Sequence, residues 1–205
     1  MTTLLRRFLV LSGVALLSAA PSLAIAQDTV RVRGTVEAAD GNTYTVKTRS
    51  GDTVKVTLTD KPLYVAMVKA SMADIKPGTF VGVTAMPDGD GTPKAVEVHI
   101  FPEAMRGTGE GHRAWDLKPQ STMTNANVET AVTGVKGQTL TLKYKDGEKT
   151  LQVVPETVVV TYAPGDAAEL KPGTGIFIVG AEKQPDGSLK TQRITYGKNG
   201  LIPPM

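Results

Sequence analysis

Apolar and polar residues alternate in short runs along most of this chain. Tyr44, Val46 and Thr48 alternate with Thr43, Thr45 and Lys47, and Val54, Val56 and Leu58 with Thr53, Lys55 and Thr57. A period of two, rich in β-branched residues, predicts half-buried strands. Ser50-Gly51-Asp52 predicts the hairpin turn between these runs, and Lys145-Asp146-Gly147-Glu148 predicts another. Leu63 to Val68 and Thr157 to Tyr162 predict a further strand, followed by Phe80-Val81-Gly82-Val83 and Ile176-Phe177-Ile178-Val179. Val96, Val98 and Ile100 give another strand an apolar face, which sets Glu97 and His99 on its other side. Helical turns are expected only at 70–75 and 166–170, each stopped by Lys-Pro-Gly.

The landmarks recur. Asp40-Gly41-Asn42-Thr43-Tyr44-Thr45-Val46-Lys47 aligns with Lys136-Gly137-Gln138-Thr139-Leu140-Thr141-Leu142-Lys143 at an offset of 96. Asp74-Ile75-Lys76-Pro77-Gly78-Thr79 aligns with Glu169-Leu170-Lys171-Pro172-Gly173-Thr174 at 95, and Asp90-Gly91-Thr92-Pro93-Lys94 with Asp186-Gly187-Ser188-Leu189-Lys190 at 96. Three landmarks in one order indicate a duplication, with copies at 29–102 and 128–200 and a linker at 103–127. The expected fold is all-β: two tandem small antiparallel β-barrels, OB-like, with five or six strands and one short helical turn each. A flat sandwich is the alternative. Copies this small bury limited surface, so the barrels are expected to pack together or share the linker.

Gly34-Thr35-Val36, the Asp-Gly-Asn-Thr-x-Thr-Val hairpin, Asp-x-Lys-Pro-Gly-Thr-Phe-Val-Gly-Val and the Lys-Ala-x-Glu-Val-His ending resemble exported bacterial β-domains catalogued as domain of unknown function 5666. The resemblance covers most of the first copy and implies an exported β-barrel with no established activity. The second copy departs from it: Thr130-Ala131-Val132 stands for Gly34-Thr35-Val36, and Arg193-Ile194-Thr195 for Glu97-Val98-His99.

Export is also legible at the N-terminus. Arg6 and Arg7 precede an apolar run from Phe8 to Ala20, and Ala24-Ile25-Ala26 supplies the small residues of a cleavage site. Residues 1–26 therefore read as a signal peptide. Its apolar run of 13 residues falls short of the ~20 that span a bilayer. Cleavage removes two of the 23 basic residues and none of the 20 acidic ones, lowering the net charge from +3 to +1. The mature protein is expected to be periplasmic or secreted, without an integral membrane span. The absence of Cys excludes disulfides, thiolate metal sites, a cysteine nucleophile and a lipoprotein anchor. Each copy carries nine basic and eight acidic residues, and the outward strand faces offer Thr and Lys without aromatic platforms. Nucleic acid is therefore not the expected partner.

The linker holds the only Trp and one of the two His. Trp115 is expected to anchor it against the barrels, with Arg106 and Arg113 as further contacts to a ligand or partner. Gly107-Thr108-Gly109-Glu110-Gly111 reads as a flexible bend rather than a phosphate loop, because Glu110 would repel an anion. His99, Glu103, His112 and Asp116 form a candidate divalent-metal set by ligand type, although their spacing matches no ligand motif. No Gly-x-Ser-x-Gly elbow is present. The expected function is a non-catalytic, exported binding or scaffold protein without a cofactor, its partner a small ligand or a cell-envelope protein. Metal handling through the linker histidines is the alternative.

Overall fold

The computed structural model describes residues 28–89, 91–134 and 137–204. The expected signal peptide at 1–26 lies outside them. The strands are β1 (Thr29–Asp40), β2 (Thr43–Thr48), β3 (Thr53–Lys69), β4 (Phe80–Met86), β5 (Lys94–Ile100), β6 (Gly111–Ala114), β7 (Thr122–Gly134), β8 (Gly137–Tyr144), β9 (Gly147–Val153), β10 (Val158–Pro164), β11 (Gly175–Lys183) and β12 (Leu189–Gly197). The two expected helical turns shrink to 3-10 turns at Met72–Asp74 and Ala167–Glu169, and a third, not expected, forms at Glu103–Met105. Ser71 caps the first, accepting from the Ala73 N–H, while Asp74 accepts from the Ser71 N–H. No helix among the described residues is long and apolar enough to cross a membrane.

The all-β barrel architecture matches the expectation from the alternation. The distribution of strands between barrels was not contained in the repeat. β1, β2 and β3 are closed by β11 and β12 of the other copy: β1 pairs with β11, β11 with β12, and β12 runs parallel to β3. Reciprocally, β7, β8 and β9 take in β4 and β5, with the ring completed by a single bridge, Lys94 to Gln152. Neither sequence copy closes a barrel from its own strands alone. Each barrel combines the first three strands of one copy with the last two of the other.

The length of β3 explains the exchange. Its 17 residues join what the alternation presented as two strands, and at ~3.3 Å per residue they span about 55 Å. The chain thus leaves the first barrel before β4 begins. In the second copy Pro155 stands in the corresponding interval, where β9 and β10 are separate.

The registers define a pseudo-two-fold axis. β3 and β10 are equivalent segments that pair antiparallel, with Met67 opposite Tyr162, positions 95 apart in the duplication. β10 also lies parallel to β5, as β3 does to β12. The β-bulge between Val36 and Ala38 recurs between Val128 and Thr130, so the first strands match at an offset of 92. Gly34 therefore corresponds to Ala126, not to Thr130. The second copy starts with β7 at Thr122, six residues inside the expected linker. Its longer first hairpin conceals that start.

Three apolar clusters follow. The first barrel holds Val32, Tyr44, Val46, Val56, Ile176, Ile178 and Ile194; the second holds Val81, Val83, Val98, Leu140, Leu142 and Leu151. Met67, Met123, Val160 and Phe177 fill the seam between them, with Trp115 and Tyr162 against it.

Candidate functional site

The seam holds a cavity of about 180 Å³, open on one side. β5 contributes His99, β7 Asn125, β10 Tyr162, β11 Phe177 and β12 Arg193. The former linker supplies Met105, Arg113 and Trp115, and Phe101 follows β5. Glu97 and His99, placed opposite the apolar face by alternation, are buried: Arg33 and Arg49 of the first barrel approach Glu97, and the Phe101 and Tyr162 rings pack on His99.

Each half of the cavity carries a different residue at equivalent positions. Gly82 faces Asn125 across the β4–β7 pair, as Phe177 faces Arg33 across β11–β1. Gly82 pairs with His99, as Phe177 pairs with Thr195. Glu97 likewise corresponds to Arg193. A Cβ on Gly82 would sit 2.1 Å from His99 Nε2 and 2.7 Å from Asn125 Oδ1. Gly82 thus admits the His99 ring, whereas Phe177 occupies the equivalent place on the other side. Gly82→Ala is expected to lower the unfolding free energy by about 1–3 kcal/mol, the cost of overpacking a filled interior. An unchanged urea midpoint would show that His99 has room to move.

The His99 ring lies edge-on to Phe101, with centroids 4.6 Å apart, and 5.7 Å from Tyr162. Arg193 sits 5.5 Å from the Tyr162 ring. Burial pushes Glu97 up to about 8, although Arg33 and Arg49 pull the other way. Burial, helped by Arg113, pushes His99 down to about 3. Both groups are therefore neutral near pH 7. Their closest approach, 3.8 Å, is too long for a hydrogen bond. Burial and the nearby Glu97 raise Tyr162 above the ordinary phenol range.

Trp115 is the anchor of the linker. Arg31, Arg113 and Arg33 lie 4.3, 5.7 and 5.9 Å from its ring. The linker itself is ordered: β6 pairs with β7, and Asn125 Nδ2 donates to the Thr108 carbonyl. Arg106 does not face the cavity. It donates to Glu103, Asn127 and the Gly78 carbonyl, tying the 3-10 turn to the second barrel.

The four candidate metal ligands are not gathered. Among the described residues no group of three or more His, Cys, Asp or Glu is placed to hold an ion. Glu103 is engaged by Arg106. Asp116 accepts from Arg33 and Arg31, and the Arg33 hydrogen bond holds its carboxyl below the usual range. His99 shares a row with Gly82, Asn125 and Gly111, whereas His112 shares the next row with Val98, Val83 and Thr124. Adjacent rows face opposite sides of a sheet, so the two rings diverge. His112 Nδ1 meets Thr124 Oγ1 at 2.8 Å and lines a different cavity, beside Lys149. Burial, with Lys149 and Arg113, lowers its pKa.

Sequence reasoning found His99, Arg113 and Trp115 and missed Gly82, Asn125, Tyr162, Phe177 and Arg193. One signal for them was present. The copies diverge at Glu97/Arg193 and His99/Thr195, and such positions line the seam. Comparison with protein-family models, with curated proteins and with solved structures finds no match.

Proposed function

We propose that this chain is an exported, non-catalytic binding protein whose small ligand occupies the cavity between the two barrels. One observation carries the reading. Polar side chains converge on an otherwise apolar concave lining: Arg113, Arg193, Trp115, His99 and Asn125 stand among Phe101, Met105, Met123 and Phe177, the make-up of a small-molecule site. The surrounding groups are guanidinium, indole, imidazole and carboxamide, which suit recognition. Export rests on the N-terminal pattern and on the resemblance of the first copy.

Trp115 is the only tryptophan, so its fluorescence reports on the cavity directly. Titrating the mature protein with aromatic and aliphatic fragments of about a dozen non-hydrogen atoms should shift that emission. The same fragments should raise the melting temperature, because a ligand selective for the native state stabilises it. Emission and melting that ignore every fragment would remove the cavity from consideration and favour a surface partner.

A further inference from the structure

We infer that the cavity selects a small monoanion with an apolar body, an aryl or short alkyl carboxylate. This rests on the binding reading above and adds the ligand's charge, shape and size. The two charged side chains lining the cavity are Arg113 and Arg193, both cationic. Glu97, two residues before His99 on β5, is fully buried and is not among the lining residues. Its burial keeps it uncharged at neutral pH, so it does not cancel the two guanidiniums.

The lining groups agree with this sign. The guanidiniums of Arg113 and Arg193 are N–H donors, and a carboxylate offers two acceptor oxygens. Arg31 and Arg33 also surround Trp115, but Asp116 already accepts from both. Arg113 Nη1 donates to the Gly109 carbonyl, leaving other guanidinium donors for a ligand.

Shape and size come from the rest of the lining. Phe101, Phe177, Met105, Met123 and Val179 give it a mainly apolar surface. Val179 is 58% exposed and marks the open side. A buried cavity of roughly 150 Å³ admits benzene. About 180 Å³ therefore suits one ring or a short chain with a carboxylate attached.

Benzoate, benzyl alcohol and benzylamine present the same ring with negative, neutral and positive heads. Each is titrated into the full mature protein, with Trp115 emission and calorimetry as readouts. Benzoate should bind at least tenfold tighter than benzyl alcohol, and benzylamine weakest. Arg193→Gln should weaken benzoate at least tenfold and leave benzyl alcohol within twofold. Arg113→Gln, with circular dichroism on both variants, keeps the test decisive if Arg193→Gln fails to fold. Benzyl alcohol or benzylamine equalling benzoate overturns the anion assignment and leaves the cavity reading standing. Benzoate binding that neither Arg substitution weakens also overturns it. If no probe moves Trp115 emission or releases heat, the binding reading fails as well.

Discussion

Residues 29–102 expressed alone are expected not to fold as a monomer, although they comprise one full copy of the duplication. Their strands β1 to β3 bury Val32, Val36, Tyr44, Val46, Val56 and Leu58 against Leu170, Ile176, Ile178, Ile194 and Tyr196 of the other copy. Without β11 and β12 the barrel is open on both edges and half its core is missing. β4 and β5 cannot substitute in cis, because the long β3 carries the chain away first. A homodimer of the fragment could trade strands the same way. It would place two Glu97 and no Arg193 at the axis, and two Gly82 where one Phe177 now fills space. Far-UV circular dichroism and amide dispersion should therefore report an unfolded chain. Mixing it with 103–204 should restore the folded spectrum. A cooperative, monomeric 29–102 would show that the exchange is not obligatory.

The second large effect is on stability against pH. Glu97 moves from an ordinary 4.5 to about 8 on folding, so the native state favours its neutral carboxyl. Its contribution is complete below about pH 4.5 and is lost as pH rises through about 8, at about 1.4 kcal/mol per unit. His99 moves from 6.5 to about 3, so the native state favours neutral imidazole. Its contribution is complete above about pH 6.5 and is lost as pH falls toward 3. Between 4.5 and 6.5 the two slopes oppose and cancel, giving a plateau. The groups facing the pair are Arg33, Arg49 and Tyr162 around Glu97 and Arg113 near His99. Glu97→Gln should abolish a fall of about 2 kcal/mol between pH 6.5 and 8. His99→Gln should abolish the fall below pH 4.5. Urea titrations across pH 3 to 9 measure both. Curves for wild type and Glu97→Gln that stay parallel would mean Glu97 is already ionised in the native state.

The fold was legible where local pattern determines it. Tyr44, Val46, Val56 and Leu58 are buried as their alternation requires, and Gly41 and Gly51 take positive φ in the expected turns. Strand partnership was not legible, because β4 and β11 present similar apolar runs to either barrel. The first strand of the second copy stayed hidden for a related reason. Asn125 and Thr124 are buried polar residues in β7, and burial beneath the linker cannot be read from local hydropathy. Alternation set His99 and Glu97 opposite the apolar face, and their burial was hidden because Arg33, Arg49 and Tyr162 reach them from distant strands. Trp115 was legible because a lone indole in an otherwise polar segment rarely lacks a packing role.

The axis through Met67 and Tyr162 bears on how a ligand at the seam would be held. In a homodimer with a true dyad every residue on the axis meets its own copy, and a bound molecule has two equivalent orientations. Covalent fusion of the halves lifts that restriction, since each half mutates alone. Glu97 can then stand opposite Arg193, and Gly82 opposite Phe177. A ligand of a cavity built this way would have one orientation per chain instead of two equivalent ones.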